Sequence, residues 1–212
     1  MKKLLFALFA VTLSTGAMAD MILGGDIELN AWQQKHSSLG KDGDNDLSLT
    51  VEASLEHPIP LLPNFKVAQS TIDNEQVSFI KQDYALYYEI LDNGLVSTDI
   101  GFGVSSFSEG ELKGQEPIHF EGFVPIVYAA AEVGIPATPL YVFARGNGVS
   151  YSDSEIIDLT VGVRYAIPLK VFQVELQAGY RTQDIKLKEF DDLPVTLDTS
   201  TDGFFLGVNL DF

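Results

Sequence analysis

The stretch GFFLGVNLDF, residues 203–212, alternates without interruption. Phe204, Leu206, Val208, Leu210 and Phe212 fall on one side, and Phe205, Gly207, Asn209 and Asp211 on the other. Successive side chains on a strand point to opposite faces, so this is a strand with one apolar face. It carries no polar tail after Phe212, where globular chains usually fray. A terminal strand of this kind is expected to be locked into a sheet by closing it.

The same period of two recurs along the chain. In LSLTVEASLE (47–56), Leu47, Leu49, Val51, Ala53 and Leu55 oppose Ser48, Thr50, Glu52, Ser54 and Glu56. DYALYYEIL (83–91), VSTDIGFGV (96–104), IDLTVGVRYAI (157–167) and VFQVELQAGYR (171–181) repeat it. LGGDIELNAW (23–32) opposes Ile27, Leu29 and Ala31 to Asp26, Glu28 and Asn30. Residues 64–72, 119–133 and 140–151 alternate less regularly, and Pro125 marks a bulge or strand end because proline cannot donate to a ladder. The reading gives about ten strands, with eight as the alternative, and no amphipathic helix.

Residues 1–19 have a different design. Lys2 and Lys3 precede a short apolar run, LLFALFAV (4–11), and AMA (17–19) supplies small residues before Asp20. This is the pattern of a cleaved secretory signal peptide, too short in its apolar core for a membrane-spanning helix. Without Lys2 and Lys3 the remaining chain has 11 basic against 30 acidic residues, a net charge of −19. Such acidity speaks against a nucleic-acid partner, which requires a basic face. The 46% hydrophobic content, with 14 Phe and 8 Tyr, speaks against disorder. There is no cysteine, hence no disulfide.

Connections fall into two alternating kinds. Residues 57–64, 92–94, 134–139 and 167–170 are short and rich in Pro, Gly and Asn. Residues 34–46, 73–76, 105–117, 152–155 and 184–200 are mostly longer and more polar. That layout matches a transmembrane barrel with short periplasmic turns and longer external loops. A soluble barrel or sandwich also alternates, with its apolar face turned inward. Three features favour lipid. The polar faces mix signs, with Glu52, Asp99, Asp158 and Glu175 beside Arg145, Arg164 and Arg181, as a narrow lumen would. The strands reach the length of a tilted membrane strand. Aromatics lie near the ends of the apolar faces, and Trp32, Tyr84, Tyr165 and Tyr180 are expected at the membrane interfaces. Backbone groups in lipid must all be paired, so the first and last strands are expected to pair with each other.

GFFLGVNLDF also resembles the C-terminal β-signal of bacterial outer-membrane proteins, carried here by Phe204, Leu206, Val208, Leu210 and Phe212. More widely, GGDIELNAW (24–32), LEHPIPLLPN (55–64), YYEILDN (87–93), VPIVYAAAEVGIP (124–136) and GYR (179–181) resemble a family of small Gram-negative outer-membrane β-barrels with a Gly-Gly pair in the first strand. The resemblance implies an outer-membrane location, contact with outer-membrane lipid and lipopolysaccharide, and recognition by the barrel-assembly machinery. It implies no reaction, because that family has no assigned activity.

Motifs for chemistry are sparse. His36, His57 and His119 are far apart, with His36 expected in a long loop and His57 in a turn at the opposite end. DGDND (42–46) begins like a calcium loop, but the required Gly and Glu are replaced by Leu47 and Ala53. His119 with Ser105, Ser106 or Ser108 is the only nucleophile–base set worth testing, and no spacing supports a triad. The expectation is a monomeric, non-enzymatic outer-membrane barrel with a narrow or plugged polar lumen, acidic external loops and no cofactor, acting structurally or through interactions. The alternatives are a narrow channel for small solutes or ions, a lipid-modifying enzyme, and a soluble periplasmic β-protein.

Overall fold

A computed structural model describes residues 23–212, apart from 60, 152 and 192. The signal-peptide assignment to residues 1–19 lies outside the described residues. The chain forms ten antiparallel strands: β1 (Gly24–Ser38), β2 (Lys41–Glu56), β3 (Asn64–Asp73), β4 (Val77–Asp92), β5 (Val96–Leu112), β6 (Ile118–Gly134), β7 (Leu140–Tyr151), β8 (Ser154–Pro168), β9 (Gln173–Leu187) and β10 (Leu197–Asp211). Each pairs with its sequence neighbours, and β1 pairs with β10, from Asp26↔Asp211 to Ser38↔Thr199, so the sheet closes into a barrel. Phe212 extends this ladder, exchanging backbone bonds of 2.9 and 3.0 Å with Gly25. Closure removes the open edges that an antiparallel sheet would otherwise present.

The expected contrast between short turns and long loops is not what the fold uses. Residues 34–46 are two strands meeting at Leu39–Gly40, both with positive φ (52° and 76°), as a two-residue type I′ hairpin turn needs. Segment 105–117 is strand as far as Leu112, and 184–200 is strand at both ends, to Leu187 and from Leu197. Charged and polar residues face outward there while apolar ones face inward, so the apolar periodicity changes register and resembles a loop in the sequence.

That change of register divides the barrel into two storeys. In the lower storey, next to Gly24 and Asp211, apolar residues point outward: Ile27 and Leu29 on β1, Leu86 and Tyr88 on β4, Val161 and Val163 on β8, Leu206 and Val208 on β10. Along β8 this face runs from Ile157 to Ile167, about 33 Å of strand or about 25 Å along the axis at a ~40° tilt. In the upper storey the outward residues turn polar, with Gln33 and Lys35 on β1, Asp184 and Lys186 on β9, and Asp198 and Ser200 on β10. There the apolar residues point inward and pack together, among them Trp32, Ile72, Phe79, Phe107, Phe120, Ile156, Ile185 and Leu197. The lower half is patterned like a membrane barrel and the upper half like a soluble one.

Two seams interrupt the wall. The β6–β7 ladder covers only Val127–Gly134 against Tyr141–Gly148, with Pro125 just beyond its end. The segment between β9 and β10 folds across to fill it. Phe190 packs at right angles to Phe107 and Phe120, and Asp191 Oδ2 accepts the Glu121 N–H at 3.0 Å. The β2–β3 ladder is shorter still, from Leu55↔Phe65 to Val51↔Gln69.

Candidate functional site

The interior is layered. At the lower mouth lies a vestibule of about 340 Å³. Asp26, Glu56, Glu89, Asp92, Asp99 and Asp211 line it, and among the described residues none of these carboxylates has a cationic partner within salt-bridge distance. The mouth is therefore strongly negative, attracting cations and repelling anions. Neutral groups tie some of the carboxylates down: Ser54 Oγ and Asn209 Nδ2 donate to Asp26 at 3.0 and 2.6 Å, and Tyr87 Oη donates to Glu56 at 2.9 Å.

Above the vestibule a cross-lumen ion layer follows. The Arg145 guanidinium forks onto both carboxylate oxygens of Glu28, with Nη1–Oε2 at 2.8 Å, and reaches Glu52 at 3.2 Å. Arg164 bridges Glu132 at 2.9 Å, Glu28 at 3.3 Å and Glu175 at 3.5 Å. Lys66 pairs with Glu52 and donates to Tyr128 Oη at 3.2 Å. A second cluster lies higher. Asp158 receives Arg181 at 2.8 and 2.7 Å, Lys81 at 3.0 Å and Gln183 at 2.8 Å, while Lys81 also binds Asp83. Between these clusters is a chamber of about 50 Å³, lined on its upper side by Trp32 and Phe205.

Three of these cations lie against aromatic faces. Arg164 and Arg145 sit 4.5 and 5.3 Å from the Phe143 ring centre, and Arg181 lies 4.8 Å from that of Trp32. Each guanidinium thus satisfies carboxylates and an aromatic quadrupole together. Chemically the arrangement neutralises charge across a narrow lumen.

No family model matches this chain, and no curated protein does. Solved structures do. Neisserial surface protein A is 16% identical, with 89% of this chain and 97% of that one covered at a TM-score of 0.41. The outer membrane protease OmpT from Escherichia coli is 10% identical over 94% and 99%, TM-score 0.44. The attachment invasion locus protein Ail of Yersinia pestis is 11% identical over 91% and 100%, TM-score 0.29. Identities this low speak to barrel architecture alone.

The charges expected in the lumen, Glu52, Asp99, Arg145, Asp158, Arg164, Glu175 and Arg181, all occupy inward positions. Glu28, Lys66, Lys81, Asp83 and Glu132 complete the two clusters and were not singled out. Glu28, Asp83 and Glu132 share the parity of polar-face neighbours in their strands, which was the available signal. Of the expected interfacial aromatics, Tyr84, Tyr165 and Tyr180 face outward. Tyr180 stacks edge-on with Phe204 at 5.1 Å and donates to Asp202, where the outer face turns polar.

Trp32 departs from its expected place. It is fully buried inside the barrel, its Nε1 donating to the Gly203 carbonyl at 3.2 Å. The reason is parity: with Ile27, Leu29 and Ala31 outward, position 32 must point inward. His36 is also not in a loop. It lies buried in β1, Nδ1 3.1 Å from Thr201 Oγ1. His119 is exposed on the outside of β6, whereas Ser105 is buried inside and donates to Asp83 at 2.5 Å. Ser105 is thus divided from His119 by the wall, whereas Ser106 and Ser108 share the outer face with His119; residues 42–46 are strand rather than a calcium loop.

Proposed function

We propose that this protein is an integral outer-membrane β-barrel, spanning the membrane with its lower storey and projecting its upper storey beyond the surface. The observation that carries this reading is the inversion of the apolar face along the strands. An outward belt of about 25 Å is what a membrane barrel requires, and the polar exterior above it suits water. The termini then lie on the periplasmic side, the vestibule opens to the periplasm, and the projecting storey is an acidic, rigid surface. The role is structural or interaction-based, exercised by a monomer surrounded by lipid and lipopolysaccharide, without cofactor or catalysis. Export through residues 1–19 and assembly through the Phe204–Phe212 strand belong to the same reading. The apolar packing of the upper storey, and the ion layer beneath it, favour a plugged lumen over an axial channel.

Fractionation tests the location: the protein should sediment with outer membranes and require detergent for release. Recovery in the soluble periplasm overturns the proposal. Planar-bilayer recording tests the plugged lumen, and discrete conductance steps from purified folded protein would replace it with the channel reading.

A further inference from the structure

β2 and β3 separate halfway up the wall. Their ladder ends at Val51↔Gln69, although β2 continues to Lys41 and β3 to Asp73. The seam between β6 and β7 is filled by Phe190 and Asp191; the seam between β2 and β3 has no such loop across it among the described residues. Its upper part is backed from inside by side chains. Gln34 Nε2 and Ser48 Oγ both donate to the Thr71 carbonyl, at 3.0 and 3.3 Å, in place of the missing strand partner. Below that cap the wall is thin: Val51 and Gln69, the last pair of the ladder, also line the 50 Å³ chamber. The chamber therefore reaches the wall where the wall loses its backbone hydrogen bonds.

A second observation concerns what the chamber lacks. Asn147, in the chamber lining, buries a side-chain carbonyl oxygen that has no partner among the described residues; Gln34 and Gln183, beside the seam but outside that lining, each bury another. Gln34 is 0% exposed and Gln183 1%. Gln183 ties the seam to the ion cluster, donating to Ser70 Oγ at 3.3 Å and to Asp158 at 2.8 Å, and Asn147 lines the chamber. The cations here are already paired with carboxylates, so the Asn147 oxygen calls for a small neutral or singly charged hydrogen-bond donor. At 10–15 Å³ per water position, the chamber has room for about four waters or one molecule of comparable bulk.

We propose that the gap framed by Thr50, Val51, Gln69 and Ser70 is a side port, through which the chamber takes up small hydrogen-bond donors such as water, ammonium or a primary amide. Entry is through the wall, not along the axis.

Trp32 is the single tryptophan of the chain and lines the chamber, so its fluorescence reports on uptake. The probe is acrylamide, a small primary amide, with the quenching rate taken from lifetimes of the folded protein in detergent micelles. The cysteine-free chain permits a Leu49→Cys/Thr71→Cys pair that draws the gap shut on oxidation. Ala68→Leu fills the chamber from β3 and decides the question if the disulfide does not form. The expected result is measurable quenching of the buried Trp32, falling at least fivefold in the oxidised pair or in Ala68→Leu. No quenching of the parent protein, or a rate unchanged when the gap is closed or the chamber filled, overturns the port.

Discussion

Gly162 of β8 and Gly179 of β9 are register partners, and the rings of Phe143 and Phe205 converge on them from either side. A Cβ at either glycine would come within 2.8 Å of a ring carbon. Trp32 continues the row opposite Phe205. This row joins the charged lumen to the apolar storey, with Phe143 on the vestibule and Trp32 and Phe205 on the chamber. Gly162→Leu should overpack it, with a loss of about 1–3 kcal/mol. Urea unfolding in lipid vesicles measures this, and a stability equal to the parent's would mean that the rings do not lie over the glycines.

The Asp158 cluster includes Lys81, a cation with 0% exposure. Asp158→Ala leaves Lys81 and Arg181 facing each other with Asp83 as the remaining anion. Removing one partner from a buried network costs about 3–5 kcal/mol. Asp158→Ala combined with Lys81→Met should cost less than the sum of the single changes, by about 0.5–3 kcal/mol of coupling. Additive losses in the same unfolding assay would show that the two side chains do not interact.

The membrane boundary can be located by depth. Val163 lies mid-belt on β8, and Gln33 points outward at the belt's upper rim on β1, beside Leu47. Val163→Arg should destabilise the barrel in vesicles by about 2–4 kcal/mol. Gln33→Arg should stay within about 0.5 kcal/mol. Equal penalties would place both residues in the same medium.

Phe212 holds Gly25 through backbone atoms, which any residue supplies. Its side chain instead ends the apolar face proposed as the assembly mark. Phe212→Asp should therefore lower the amount of protein assembled in the outer membrane severalfold, while the unfolding midpoint of refolded barrel moves little. Equal outer-membrane levels of Phe212→Asp and wild type, by fractionation, would refute the assignment.

Much of this fold was legible because a β-strand has a fixed period. Val161, Val163 and Tyr165 share a face in any strand conformation, so the existence of β8 and its outward belt needed only the sequence. The buried Trp32 was legible too, since it shares parity with Asn30 and not with Ala31. The upper storey was harder. On β9 the apolar set moves from Leu176 and Ala178 to Ile185 and Leu187, exchanging faces beyond Thr182. A residue pattern read locally takes such an exchange for the start of a polar loop, because nothing in the strand itself states which face meets water.

The sequence by itself determined the lower halves of the strands, their two faces and the expected closure of β10 on β1, since alternation and backbone satisfaction are local or topological demands. Only the tertiary structure decided which charges meet. Glu28 and Arg145 stand far apart in the chain and join across the lumen through the barrel's register. The seam between β2 and β3 is likewise a property of the closed wall: both sequences can form strand, and the pairing stops where Gln34, reaching from β1, takes the Thr71 carbonyl that β2 would otherwise have held.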